Sequence, residues 1–334
     1  MPDKSSLSLF VCTFLTAATG LYASGVSTPV GSYLGQTPPG DKARLFAPGI
    51  VSDGFNNRDL AMMPDGSEIY YAVNMRNFDM SAILAVHRLN AGWSKPEVAP
   101  FARDGNFNYL EPAISPDGSK FFFVRSNRDG TNNNDIWVMD REEAGWGAPV
   151  MLGENINTGV SETFPSITND GTLYFSRVSD DPGVEHIYRS QLVNGQYAPA
   201  EMLPKNVNSG KTQFNAFVAP DESYLVVSVY GREDSIGSID YYIVFRNRDD
   251  HWSEPINMGE TINTKGAQEY SPYVSRDGKY FFFMSTRLSV NNDLRNEGYS
   301  LENLSTVHTT PGNGNSDIYW IDAGIIETLR PEGF

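Results

Sequence analysis

One short segment recurs five times along the chain, and this recurrence limits the possible folds more than anything else in the sequence. Met63-Pro64-Asp65-Gly66-Ser67-Glu68-Ile69-Tyr70-Tyr71 is followed by Ser115-Pro116-Asp117-Gly118-Ser119-Lys120-Phe121-Phe122-Phe123. Then come Thr168-Asn169-Asp170-Gly171-Thr172, Ala219-Pro220-Asp221-Glu222-Ser223 and Ser275-Arg276-Asp277-Gly278-Lys279. The aspartates stand at 65, 117, 170, 221 and 277, so the period is close to constant. A fixed period of this length marks a repeat architecture, in which each unit hides its apolar surface against its neighbours.

Each copy reads as a hairpin turn. Proline presets φ, aspartate bonds its own backbone two residues on, and glycine supplies a positive φ. Glu222 takes the glycine position in the fourth copy, so that turn must differ. The aromatic runs after the turns, such as Phe121 to Phe123, suit a strand buried on both faces. Two further elements share the period. One is Asp135-Ile136-Trp137, with counterparts at His186-Ile187-Tyr188, Asp240-Tyr241-Tyr242 and Asp317-Ile318-Tyr319. The other is Trp93-Ser94-Lys95-Pro96, with counterparts at Trp146, Tyr197 and Trp252; its proline suits an outer edge strand. Each unit therefore holds four short strands: before the turn, after it, and at the two further elements. Five such sheets bury both faces only when packed radially, so the expected fold is all-β, a five-bladed propeller of four-stranded antiparallel blades.

Closure is legible too. The fifth unit lacks the Trp-x-x-Pro element, while Ala43-Arg44-Leu45-Phe46-Ala47-Pro48 resembles the end of the first unit at Glu97 to Ala102. The N-terminal strand is expected to complete the last blade. Before it, residues 1–23 read as a signal peptide, with Lys4 ahead of the apolar run Leu7 to Ala18. Residues 24–42 read as a flexible lead-in, and 43–334 as one propeller domain. Cys12, the single cysteine, lies inside the apolar run, so disulfides play no part. The expected location is periplasmic or secreted.

These elements together resemble the TolB-type β-propeller, whose WD40-like repeats carry a Ser-Pro-Asp-Gly turn, then Ser-x-Arg, then Asp-Ile-Tyr/Trp. The similarity runs from residue 43 to 322. Ser126-Asn127-Arg128 and Ser285-Thr286-Arg287 carry the second element best, with Arg76 and Arg232 at similar positions. The resemblance implies a protein-binding platform, with six blades as the alternative to five; a protein or glycan at the channel mouth or blade loops is the expected ligand.

The formal net charge of −16 excludes a nucleic-acid partner, since a polyanion would be repelled. No membrane span is expected, and a monomer is. No Gly-x-Ser-x-Gly elbow is present, and His87, His186, His251 and His308 are scattered, so no catalytic residue and no metal ligand is assigned. Candidate ligand-binding residues come from the strand before each turn, which should line the channel. Asp59, Glu111 and Asn215 lie six residues before their aspartates, and Glu162, Gln213 and Glu269 eight before. Simple alternation would put both sets on one side. Such an acidic ring could take a sugar, a basic peptide or a divalent cation such as calcium; no other cofactor is implied. The alternative function is a glycan-active hydrolase or lyase, which needs two carboxyl groups about 5–9.5 Å apart. Asp135, Asp240, Asp317 and the arginines read as loop-pinning pairs, and Asn157, Asn208 and Asn263 as turn and cap residues. The long connection from 288 to 316 has no counterpart in the other units and reads as a contact or capping segment.

Overall fold

The computed structural model describes residues 29–75, 78–131, 133–181, 183–288 and 298–334. The proposed signal peptide, Cys12, Arg76, Asn132, Asn291 and Asn292 lie outside them.

Five antiparallel sheets stand around one axis. Blade I runs outward through Asn56–Met62, Glu68–Met75, Met80–Leu89 and Glu97–Val98. Blade II uses Phe107–Ile114, Lys120–Asn127, Asp135–Glu142 and Val150–Met151. Blade III uses Glu162–Ile167, Leu173–Val178, Glu185–Ser190 and Glu201–Met202. Blade IV uses Thr212–Val218, Tyr224–Tyr230, Ile239–Phe245 and Ile256–Asn257. Blade V uses Glu269–Val274, Tyr280–Ser285 and Asp317–Asp322, and takes Arg44–Leu45 as its outer strand. The first strand of each blade touches the first strands on both sides, and blade V touches blade I, so the ring is closed.

The turns behave as their chemistry requires. Asp65, Asp117, Asp170, Asp221 and Asp277 each accept a hydrogen bond from the N–H two residues on, at 2.9–3.2 Å. Gly66, Gly118, Gly171 and Gly278 take φ between 67° and 86°. Glu222 keeps the same backbone at φ 59° without glycine's freedom. Its carboxylate instead binds the Tyr174 hydroxyl at 2.6 Å and the Arg246 guanidinium, which ties blade IV to blade III.

The second strands are buried on both faces, as their sequence demands: Phe121, Phe122 and Phe123 are 0, 1 and 0% exposed. At about 1.5–3 kcal/mol for each fully buried side chain, these strands are the main source of stability. The apolar clusters lie between blades rather than within them. Ile69 and Tyr71 pack with Phe282 and Trp320 across the V–I seam, and Tyr241 packs with Phe281 and Tyr319 across the IV–V seam.

The outer strands correct one expectation. The Trp-x-x-Pro segments do not form them. Gly92–Trp93 and Gly145–Trp146 fold back as short hairpin extensions of the third strands, and the outer strand begins just past the proline. Proline cannot donate to the ladder, so pairing restarts where N–H groups resume. Trp146 uses its position to reach blade I, donating to the Tyr70 hydroxyl at 2.8 Å.

Asn157, Asn208 and Asn263 are also more than caps. Each amide accepts from a third-strand N–H (Ile136, Ile187, Tyr241) at 2.7–2.8 Å and donates back to the carbonyl of the same residue. Ser52 does the same for Ile318 in blade V, at 3.2 and 3.0 Å. These side chains continue the sheet edge where the outer strand stops. The closing strand pairs Arg44 with Trp320 and Leu45 with Tyr319, and Phe46 N–H donates to Ile318 at 2.8 Å.

The described part of the lead-in is packed, not loose. The Trp93 indole donates to Gly31 at 2.8 Å, and the Tyr33 ring stacks among Tyr280, Phe282 and Trp320.

Candidate functional site

Every first strand carries a bulge at the same place. Asp59, Glu111, Phe164, Asn215 and Ser271 all adopt positive φ, between 50° and 65°. The ladder to the second strand slips at each of them. For residues with a Cβ this conformation costs about 1–2 kcal/mol each. Proline follows in three blades, at Pro112, Pro165 and Pro272, where the bulge needs no ladder donor.

The bulge breaks the alternation on which the two candidate sets were superimposed. Asp59, Glu111 and Asn215 turn to the axis and meet. Arg58 donates to Asp59 at 2.7 Å and to Glu111 at 3.1 Å. The Ser271 hydroxyl donates to Asp59 and accepts from the Asn215 amide at 3.1 Å. Glu111 also accepts from the Phe164 N–H at 2.7 Å. The chain of contacts therefore draws on all five first strands. Side-chain exposures are 5% for Arg58, 0% for Asp59 and 7% for Glu111.

Glu162, Gln213 and Glu269 do not join this network. Glu162 is held by Thr158 and by Arg177 at 2.8 Å within its own blade. Glu269 accepts from Ser285 at 2.7 Å and lies 3.7 Å from Arg287. Gln213 binds the Glu185 carbonyl and the His186 ring, both at 2.7 Å, on the neighbouring blade. These three fasten loops and seams. Arg177 and Arg287 also donate to the carbonyls of Ile156 and Ile262. Arg128 and Arg232 bind loop carbonyls as well, those of Gly105 and Ser209.

Burial raises the Glu111 carboxyl well above the usual range, the Asp59 charge adds to this, and Arg58 opposes it. Burial alone would weaken the Arg58 proton, but Asp59, Tyr270 and Glu111 outweigh it and hold the guanidinium charged. Arg58 lies over the rings of Tyr270, at 4.8 Å, and Phe78, at 5.1 Å. The result is a plug: two carboxylates clamped by one arginine, roofed by two aromatic rings.

Around this plug the mouth opposite the Asp-Gly turns is rich in exposed apolar side chains. Phe55, Phe78, Leu288 and Tyr299 lie in its loops, Met75 ends the second strand of blade I, and Leu301 and Leu304 lie on a short helix. A groove of about 490 Å³ opens between blades I and II, lined by Phe55, Met75, Met80, Leu84, Val98 and Phe107. The long fifth-blade connection contributes the helix Leu301–His308, capped by Ser300, with no buried side chain. Asn313 and Asn315 tie that connection to the Gly54 carbonyl at 3.2 and 2.9 Å.

No family model matches the sequence, and no curated protein matches it. Solved structures do. TolB from Acinetobacter baumannii is similar over 80% of this chain, at 16% identity and a TM-score of 0.46. This chain spans 57% of that TolB's length. The catalytic domain of the Coprinopsis cinerea GH62 α-L-arabinofuranosidase is similar over 85% of this chain and 97% of its own, at 15% identity and a TM-score of 0.47. A putative TolB from Agrobacterium tumefaciens matches 69% of this chain at 17% identity and a TM-score of 0.46. Likeness at this level carries no functional argument, and one architecture hosts many activities.

Sequence reasoning missed Arg58, Phe78 and Tyr270. The Glu-Pro, Phe-Pro and Ser-Pro pairs at the equivalent positions were the available signal for a bulge. No group of three or more His, Cys, Asp or Glu side chains placed to hold a metal occurs among the described residues, and no described helix is long and apolar enough to cross a membrane.

Proposed function

We propose that this chain is an exported, TolB-like propeller that binds a protein partner on the face opposite its Asp-Gly turns. One contrast carries the reading. The axial carboxylates are sealed under Arg58, whereas the rim around them exposes Phe55, Met75, Phe78, Leu301 and Leu304 beside an open groove. Exposed apolar clusters of this kind mark interaction surfaces, and aromatic anchors supply most of the binding energy. The signal peptide at residues 1–23 would deliver the propeller, spanning 43–334, to the periplasm or medium. Fractionation of cells expressing the full chain, with N-terminal sequencing of the exported product, checks that part.

Phe55→Asp with Leu301→Asp should abolish capture of the partner from an envelope extract while leaving the thermal midpoint unchanged. A glycan array probed in parallel distinguishes the glycan-binding form of the proposal, which would leave those variants fully active.

The raised Glu111 carboxyl beside Asp59 favours a second reading, a glycan hydrolase. It requires Arg58 to swing out and open the pair. Release of reducing ends from a polysaccharide panel, lost in Glu111→Gln, would establish it.

A further inference from the structure

The Asp-Gly face has its own opening, and one residue there is not explained by the fold. The position before the turn aspartate is proline in blades I, II and IV (Pro64, Pro116, Pro220) and Asn169 in blade III. In blade V it is Arg276, half-buried. The turn does not need an arginine, and a guanidinium taken out of water without a hydrogen-bonded counter-charge is unfavourable. Arg276 makes no hydrogen bond or ion pair among the described residues; burial lowers its pKa, and Tyr273 and the Asp117 charge offset this only in part. It is the one charged side chain among those lining a cavity of about 40 Å³ on the axis, whose walls include Pro112, Pro165, Phe217 and Pro272.

Arg276 also lines an adjoining crevice of about 180 Å³ at the seam of blades V and I. A second guanidinium, that of Arg88 from blade I, lines the same crevice and is likewise without hydrogen bond or ion pair. Met62, Pro64, Ile69 and Trp93 give it an apolar wall. Two carboxylates border it, and both are engaged in their turns: Asp65 by Ser67, and Asp277 by Ser275, Lys279 and Tyr33. Their presence disfavours a dianion such as phosphate and leaves room for a single negative charge.

We propose that this crevice binds a monoanionic carboxylate carried on an apolar group, with Arg276 and Arg88 as its ion partners and the Met62–Trp93 wall as its apolar seat. Both a peptide C-terminus and a small free organic acid present that chemistry. The site is on the opposite face from the proposed partner surface and does not depend on it.

Isothermal titration at low ionic strength tests it, with N-acetyl-leucine, N-acetyl-leucinamide, and one leucine-ended hexapeptide as free acid and as amide. The acids should bind, and the amides at least about tenfold more weakly, the effect of one charge-assisted contact. Arg276→Pro restores the residue found in three other blades, so it should keep the wild-type midpoint and lose at least about tenfold in affinity. Arg88→Gln, at an exposed position, should weaken binding without touching the fold. A peptide acid much tighter than N-acetyl-leucine assigns the site to chain ends, and equal affinities assign it to small acids. Amides that bind as well as acids would overturn the proposal. So would unchanged affinity in both variants, or no heat from any acid up to about 10 mM.

Discussion

Replacing Arg58 by methionine would leave Asp59 and Glu111 facing each other in the axis with no counter-charge. Removing one partner of a buried ionic group costs about 3–5 kcal/mol, so Arg58→Met should lower the calorimetric midpoint strongly. Asp59→Asn with Glu111→Gln in the same chain should recover much of that loss. The asparagine clamps are a smaller case. Asn263→Ala deletes bonds to both the N–H and the carbonyl of buried Tyr241 and should cost about 2 kcal/mol in urea unfolding. Titration acts at this scale too. Burial raises Glu111, lifts Glu269 to about 7 and lifts Asp317 to about 6. These groups bind more protons folded than unfolded above pH 4–5, so their contribution is complete below that pH and is lost as pH rises through the folded values. The turn aspartates Asp65, Asp117, Asp170 and Asp277 are held below their usual pKa by hydrogen bonds and partly opposed by burial, and their contribution is lost as pH falls through those values. Unfolding free energy should therefore peak near pH 5 and decline toward pH 8. A flat profile across that range would contradict these placements.

At the scale of the element, two segments matter most: the closing strand and the bulged first strand. Arg44–Leu45 supplies only two residues of pairing, but Phe46 and Leu34 are buried behind it and Tyr33 stacks on blade V. Deleting residues through Ile50 should lower the thermal midpoint by on the order of 10 °C, from the lost apolar burial and the opened seam. The closure was readable because Leu45 to Pro48 repeats the end of the first unit. The packing of Tyr33 was not, since a stretch rich in Ser, Thr, Pro and Gly carries no periodic signal. The bulge shows the same limit within a strand. Continuous aromatic runs correctly marked the strands buried on both faces, such as Phe121 to Phe123, whereas period-2 alternation was the guide to facing in the first strands. That alternation failed at Glu162, Gln213 and Glu269, because the single left-handed residue of each bulge reverses the facing of everything before it. Half of the candidate ring thus lies on the axis, while Glu162 and Glu269 are held within their own blades and Gln213 at the seam of blades III and IV.

For the whole molecule, the five apolar clusters each span at least two blades, so no blade is stable alone and the ring should unfold as one unit. The repeat made that architecture legible from five aspartates and the aromatic runs beside them. The chemistry of the two faces was less legible. It depends on which loops converge at a mouth, and convergence across 250 residues leaves no local mark: Gly54 and Asn315 meet from opposite ends of the chain. What the axis does is now a contest between a sealed ion cluster and an open rim. The most direct measurement is capture from an envelope extract, quantified by mass spectrometry, for the wild type, Phe55→Asp with Leu301→Asp, and Glu111→Gln. The rim variant should lose the partner and the axial variant should keep it. Loss of capture in Glu111→Gln with the rim variant intact would contradict the assignment of function to the rim.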